Sequence, residues 1–147
     1  KEARKRFKLE KIIWAITKKN PLKAQSKTPI SKKIKDCKKI IGLNSFIKAK
    51  FYENIIKSNK TIDLINYLKK NKNIEIFFLM GADNLITFHK WHKSKLISQK
   101  CNIIVFDRHG YKKNSLKSKT FMRLNNKTLT FVEFKKVNIS SSQLRKI

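Results

Sequence analysis

Acidic residues, glycine, proline and cysteine are all scarce in this sequence of 147 residues. With three glycines, two prolines and 40% hydrophobic residues, the chain is neither linker-rich nor disordered. It has no apolar run approaching the roughly 18 residues that a transmembrane helix needs. Its two cysteines, Cys37 and Cys101, are too far apart for a metal or redox motif and suit a reducing compartment. We therefore expect one globular domain over residues 1–147, located in the cytoplasm.

The shortage of acidic residues leaves a strongly basic chain, with 37 Lys and Arg against 9 Asp and Glu and a net charge of +28. Such a charge is typical of proteins that bind nucleic acid. It is also what an A/T-rich coding sequence produces, because Lys, Ile and Asn are abundant while Arg, the better reader of phosphates and bases, is rare. The lysines are spread along the whole chain, which favours a solvated basic surface over a nucleic-acid footprint. Such a surface still attracts small polyphosphates.

Apolar runs alternate with amphipathic stretches along the chain, which predicts β–α units and a mostly parallel sheet. Strands are predicted at residues 11–17, 46–52, 75–80, 103–106 and 129–134. Helices are predicted at residues 31–41, 60–70 and 94–99, around Leu85 and Phe88, and from Ser140 onward. The predicted fold class is therefore α/β, and we expect the 11–17 strand to be buried.

Polar turns follow three of the predicted strands. Residues 81–84 and 107–111 are Gly-containing turns directly after two strands, and the Ser-rich segment 140–142 follows a third. In open α/β sheets the ligand lies outside the carboxyl ends of the strands. We therefore expect a binding site where these segments meet.

Gly81, Asp83 and Arg108 are the candidate residues of the first two turns. Glycine allows close backbone approach to a ligand, and the Asp83 carboxylate can accept hydrogen bonds from ribose hydroxyls or an adenine amine. The alternative is an ordinary turn in which Asp83 caps the next helix. Arg108 is a candidate for phosphate or base contact, or else a solvated side chain.

An aromatic, histidine-containing segment spans residues 88–92. Trp91 offers a flat face on which a heteroaromatic ring can stack. The alternative is that Trp91 and Phe88, three residues apart, belong to the core. His89 and His92 could share a helical face as metal ligands, but no third ligand stands at a recognisable spacing, so no metal site is predicted.

The Ser140–Ser142 run precedes Arg145 near the end of the sequence. Hydroxyls and free N–H groups at a helix start, with an arginine one turn later, can bind an anion. The alternative is a capping run followed by an exposed arginine. On these residues alone both interpretations remain open.

The order of the segments resembles the nicotinate-nucleotide adenylyltransferase family. Its members carry G-A-D-N-L, F-H-x-W, D-R-x-G-Y and I-S-S-T-x-I-R segments, and this chain has similar residues at 81–85, 88–91, 107–111 and 139–145. Residues 20–23 are similar to the family's Pro-containing loop ending in Lys, and residues 60–63 to its Y-T-x-D segment. The F-H-x-W segment is the specific one, because sister adenylyltransferases for pantetheine phosphate lack that Trp.

The resemblance implies a Rossmann-like nucleotidylyltransferase fold. It also implies transfer of the adenylyl group of ATP, with Mg²⁺, to nicotinate mononucleotide, giving nicotinate adenine dinucleotide and pyrophosphate. Such direct attack needs positioning and charge neutralisation more than a covalent nucleophile. By similarity, Trp91 stacks on the pyridine ring and Thr61 meets the nicotinate end. The residues implied to bind ATP and its phosphates are Gly81, Asp83, Arg108, Ser141, Ser142 and Arg145.

The sequence departs from the family pattern in its N-terminal part. The family opens with a strand and G-x-F-D-P-x-H-x-G-H, whose histidines stabilise the transferring phosphate, whereas the three histidines here are His89, His92 and His109. We therefore expect no catalytic residue in this chain, no central first strand, a C-terminal helix cut short, and little activity of this polypeptide alone. Lys60 stands where the family has Tyr, and Ser142 keeps the hydroxyl of the usual Thr.

Other functions remain open beside this one. A sister adenylyltransferase would prefer another acceptor, such as nicotinamide mononucleotide. A basic nucleic-acid-binding protein would bind DNA or RNA in a salt-sensitive way that does not depend on Trp91. An inactive remnant would bind no ligand.

Overall fold

The computed structural model describes residues 2–18, 28–70 and 73–133. By internal packing the chain divides into two compact units, Lys1–Leu64 and Ile65–Ile147. The single-domain organisation expected from the sequence stays a prediction. Within the described ranges, no helix is long and apolar enough to cross a membrane.

The first unit contains two parallel strands and the helices around them. In chain order these elements are α1 (Glu2–Phe7), β1 (Ile12–Ile16), α2 (Ile30–Ile41), β2 (Ile47–Phe51), α3 (Glu53–Ile56) and the start of α4 (Thr61–Lys69). β1 and β2 pair in parallel, with Ile12 opposite Ile47. The strands and helices predicted in this part of the chain are confirmed, whereas α3 was not predicted.

α2 is amphipathic, as its sequence predicts. Ile34, Cys37 and Ile41, spaced three and four residues apart, are more shielded than the exposed lysines between them. The helix ends at Gly42, whose φ of 56° lies in the left-handed region that favours glycine. The N–H of Gly42 donates to the carbonyl of Lys38 at 3.0 Å and closes the last turn.

β1 is less buried than its sequence predicts. Ile16 is its one buried residue, and the Trp14 side chain is 41% exposed. The expectation of a buried strand is therefore wrong. The physical reason is that successive side chains point to opposite faces of the sheet, and α2 is the helix that packs against both β1 and β2. A run of apolar residues gives no information on whether the second face is covered.

The second unit is built on a three-stranded parallel sheet with the order β3–β4–β5. Its strands are β3 (Phe77–Gly81), β4 (Asn102–Phe106) and β5 (Leu129–Val132). Its helices are α5 (Ala82–Thr87), a 3₁₀ helix at Phe88–Lys90, α6 (Ser94–Lys100), α7 (Lys112–Leu116) and α8 (Lys119–Leu124). All strand pairs among the described residues are parallel, which confirms the predicted pairing. α7 and α8 were not predicted.

The core of the second unit lies around the central strand β4. Ile103, Ile104 and Val105 are buried, and so are Leu85 and Phe88 on the segment that follows β3. Because β4 is buried on both faces, its sequence is continuously apolar. The carboxyl ends of all three strands therefore lie along one edge of a well-packed sheet.

Candidate functional site

Two turns meet at the carboxyl edge of the second unit's sheet. Gly81 at the end of β3 is opposite Phe106 at the end of β4, so the residues that follow these strands are neighbours. The N–H of Asp107 donates to the carbonyl of Val132 at 3.0 Å, which connects the second turn to the end of β5. Gly110 closes that turn with a φ of 79°, in the region that favours glycine. For these two turns, the predicted placement at one edge is confirmed.

Asp83 and Arg108 form an ion pair between the two turns. Nη1 of Arg108 donates to Oδ2 of Asp83 at 2.7 Å. The Asp83 side chain is 14% exposed and the Arg108 side chain 44% exposed. The guanidinium carbon also lies 5.9 Å from the centroid of the Tyr111 ring. The structure thus brings two predicted site residues, 25 positions apart in sequence, into direct contact.

Asp83 does not cap α5. The N-cap of that helix is Gly81, and no side chain makes a capping hydrogen bond there. The alternative interpretation of Asp83 as an ordinary helix cap is therefore wrong. Its carboxylate accepts a hydrogen bond from Arg108 instead.

The Asp83 carboxylate packs against Gly81. The dihedral angles of Gly81, φ −82° and ψ 158°, suit any residue. A Cβ at this position, however, would lie 2.5 Å from Oδ1 of Asp83. We expected the glycine to leave room for a ligand, and the structure shows that the Asp83 carboxylate occupies this space. Oδ1 itself is buried, with no hydrogen-bond partner among the described residues.

A second ion pair, which sequence analysis missed, lies at the same edge. Nζ of Lys112, the first residue of α7, is 2.7 Å from Oε1 of Glu133, which follows β5. The hydrogen bond with Glu133 raises the pKa of Lys112, burial opposes this, and the negative charges of Glu133 and Asp107 add to the rise. The position of Lys112 next to the D-R-x-G-Y segment was the available signal. Arg108 and Lys112 therefore place two cations outside the strand ends, where ligands lie in open α/β sheets.

Trp91 lies beside β3 in an aromatic cluster. Its ring contacts Phe78 of β3 edge-on, with centroids 5.9 Å apart, and Phe88 in a tilted arrangement at 5.4 Å. Phe88 is fully buried, so for this residue the core interpretation is correct. The Trp91 side chain is half-buried, and its Nε1 is enclosed without a hydrogen-bond partner among the described residues. A stacking role for Trp91 stays a prediction.

His89 and His92, the metal ligands considered from the sequence, are both exposed. Within residues 2–18, 28–70 and 73–133, no group of three or more His, Cys, Asp or Glu side chains is arranged to hold a metal ion. The structure therefore gives no support to a metal centre built on these histidines.

Thr61 is the first residue of α4 and belongs to the first unit. The segment before it is held by Ser58, whose Oγ donates to Oδ2 of Asp63 at 2.6 Å and accepts from the N–H of Lys60 at 3.1 Å. The start of α4 is thus fixed by a local hydrogen-bond arrangement. The other predicted site residues, Ser141, Ser142 and Arg145, and the loop at residues 20–23 lie outside the described residues.

Comparison with known proteins identifies the family. A family model described as cytidylyltransferase-like matches residues 1–147, the whole chain. A probable nicotinate-nucleotide adenylyltransferase from Pelagibacter ubique (strain HTCC1062) is 64% identical over 147 residues, which are 100% of this chain and 82% of that protein. The chain belongs to the nicotinate-nucleotide adenylyltransferase family.

Other relatives in the nicotinate-nucleotide adenylyltransferase family are more distant. The probable enzyme from Rhizobium johnstonii is 31% identical over 117 residues, covering 78% of this chain and 58% of that protein. The probable enzyme from Brucella abortus (strain 2308) is 27% identical over 162 residues, covering 97% of this chain and 82% of that protein. The structure of Plasmodium falciparum nicotinic acid mononucleotide adenylyltransferase complexed with NaAD matches with a TM-score of 0.68 at 20% identity, covering 94% of this chain and 69% of that one. The predicted Rossmann-like nucleotidylyltransferase fold is confirmed.

Proposed function

We propose that the protein transfers the adenylyl group of ATP to nicotinate mononucleotide, forming nicotinate adenine dinucleotide and pyrophosphate. A phosphate oxygen of the mononucleotide attacks the α-phosphorus of ATP. The bond between that phosphorus and the oxygen bridging to the β-phosphate breaks, and pyrophosphate leaves. The observation that carries this proposal is the 64% identity, over the whole chain, to a probable nicotinate-nucleotide adenylyltransferase. We also propose that the reaction takes place in the cytoplasm.

The carboxyl edge of the β3–β4–β5 sheet is the proposed nucleotide site. The ion pair of Asp83 with Arg108 supports this, because it places a carboxylate acceptor and a guanidinium donor together outside the strand ends. Gly81 provides the space that this carboxylate needs. Lys112 adds a second positive charge near the phosphates. By resemblance to the family, Ser141, Ser142 and Arg145 bind ATP phosphates, Trp91 stacks on the pyridine ring, and Thr61 contacts the nicotinate end.

Mg²⁺ is proposed to enter as part of the substrate, bound to ATP. Mg²⁺ usually keeps several waters and is held by substrate phosphates with one or two carboxylates. Among the described residues, Asp83 is already paired with Arg108 and no cluster of metal ligands is present. Bound in this way, the ion would be held mainly by phosphate oxygens of ATP and would neutralise charge on the departing pyrophosphate.

The proposal is tested by assaying the complete gene product with Mg–ATP and either nicotinate or nicotinamide mononucleotide, with the dinucleotides separated by liquid chromatography. We expect kcat/KM to be at least about tenfold higher with nicotinate mononucleotide, because a site built for a carboxylate leaves polar groups unpaired with the amide. Asp83→Asn should lower the rate, whereas Asp36→Asn on the exposed side of α2 should not. No nicotinate adenine dinucleotide from the wild type, or a preference for the amide, would refute the assignment.

A further inference from the structure

The two carboxylate oxygens of Asp83 lie in different surroundings. Oδ2 accepts a hydrogen bond from Nη1 of Arg108 at 2.7 Å. Oδ1 is enclosed near Gly81 and has no hydrogen-bond partner among the described residues. Buried polar atoms are almost always hydrogen-bonded, because burial removes their bonds to water. One oxygen is therefore fixed, while the other keeps its capacity to accept a hydrogen bond.

This arrangement depends on three separate features of the second unit. The register of β3 against β4 brings the first turn of α5 next to the turn that carries Arg108. The missing side chain at Gly81 leaves room for Oδ1, since a Cβ would come within 2.5 Å of it. The guanidinium of Arg108 supplies the donor for Oδ2 and is itself 44% exposed. An arginine so exposed contributes little to the core, which leaves the orientation of Asp83 as its main effect in this structure.

We propose that Arg108 is a positioning residue that acts through Asp83. By fixing Oδ2, the guanidinium sets the orientation in which the carboxylate offers Oδ1 to a hydroxyl or amine of the nucleotide at the Gly81 turn. This inference rests on the proposed function and deepens it, because Arg108 then serves the adenosine part of the substrate instead of binding a phosphate.

The proposal predicts that substitutions at the two positions are not additive. The complete gene product is prepared as wild type, Arg108→Ala, Asp83→Asn and the double variant, and ATP binding is measured by titration calorimetry. We expect Arg108→Ala to weaken ATP binding about tenfold, and the double variant to bind no more weakly than Asp83→Asn alone. Arg108→Lys should recover part of the lost ATP affinity, since lysine keeps the positive charge but lacks the planar guanidinium group. In turnover assays the KM for ATP should rise while kcat changes little.

Inorganic tripolyphosphate separates this role from direct phosphate binding. If Arg108 acts through Asp83, its replacement by alanine leaves tripolyphosphate affinity unchanged while ATP affinity falls. Additive losses in the double variant, or weaker tripolyphosphate binding by Arg108→Ala, overturn the proposal, and so does an Arg108→Ala protein that binds ATP normally. Thermal unfolding of each variant shows whether a loss of binding comes from a loss of fold. If wild type binds neither ATP nor nicotinate adenine dinucleotide, the proposed function itself fails.

Discussion

Nη1 of Arg108 and Oδ2 of Asp83 lie 2.7 Å apart and join the turns that follow two neighbouring parallel strands. The ion pair holds the two turns together at the carboxyl edge of the sheet. Preorganised polar groups accelerate a phosphoryl-type transfer because their ordering does not have to occur during the reaction.

Gly81→Ala should damage nucleotide binding more than it damages folding. The backbone angles of Gly81 suit alanine, so the free energy of unfolding should change by less than about 1 kcal/mol. The new Cβ, however, would meet Oδ1 of Asp83 at 2.5 Å and displace the carboxylate. We expect ATP affinity to fall about tenfold in titration calorimetry. Unchanged affinity would show that the carboxylate position does not matter.

Gly110→Ala is the matched control and should behave in the opposite way. No atom lies within 4 Å of a Cβ placed there, but the φ of 79° is unfavourable for any residue with a side chain. The free energy of unfolding in urea should fall by about 1–2 kcal/mol. Since a Cβ at Gly110 would come within 4 Å of neither Asp83 nor Arg108, the ATP affinity of the folded variant should stay within about twofold of wild type.

Trp91 should report on the binding of the pyridine ring. The chain has two tryptophans, Trp14 on β1 and Trp91 beside β3. If the Trp91 indole stacks on the ligand, nicotinate adenine dinucleotide should quench the fluorescence of wild type and of Trp14→Phe. The same titration of Trp91→Phe should show little quenching. Quenching that survives in Trp91→Phe but disappears in Trp14→Phe would contradict the stacking role.

The stability of the protein should decrease in alkaline solution through Cys101. Burial raises the pKa of this thiol from 9.0 to about 11, although Lys69 acts in the opposite direction. In the unfolded chain the thiol ionises at its ordinary pKa, so the unfolded state binds fewer protons between the two values. The contribution of Cys101 to the free energy of unfolding is therefore complete below pH 9.0 and is lost as the pH rises to about 11.

The measurement compares urea unfolding of wild type and Cys101→Ala at a series of pH values. The difference between the two proteins removes the titration of the many lysines, which both share. We expect the free energy of unfolding of wild type to fall relative to that of Cys101→Ala as the pH rises from 9.0 to about 11. Parallel pH profiles would show that the thiol ionises equally in the folded and unfolded states.

Elements with a clear hydrophobic period could be predicted from the sequence, whereas several short ones could not. The alternation at residues 46–52 and the spacing of Ile34, Cys37 and Ile41 predicted β2 and α2, because one face of each is shielded. α7 and α8 were missed because helices of 5 and 6 residues are too short to show a helical period, and Leu116 is the one apolar residue of α7. Ser118 was a usable signal for α8, since its side chain accepts from the N–H of Phe121 at 3.2 Å and caps the helix.

The site was predicted as separate residues and not as a set of contacts. Gly81, Asp83 and Arg108 were recognisable because polar residues follow apolar runs and strand ends carry ligands in this fold class. Their mutual arrangement could not be predicted from the sequence, because the pairing of Asp83 with Arg108 depends on the register between β3 and β4. The link from Lys112 to Glu133 likewise requires the end of β5 to lie beside α7.

The parallel order of β3, β4 and β5 has a consequence for synthesis on the ribosome. Each parallel neighbour is reached through a long crossover, so the strands cannot pair as a local hairpin. β4 has to wait for β5 before both of its edges are hydrogen-bonded, and until Val132 has emerged the backbone groups along one edge of β4 stay unpaired. A nascent chain paused just before this point is the form most exposed to chaperones and to aggregation.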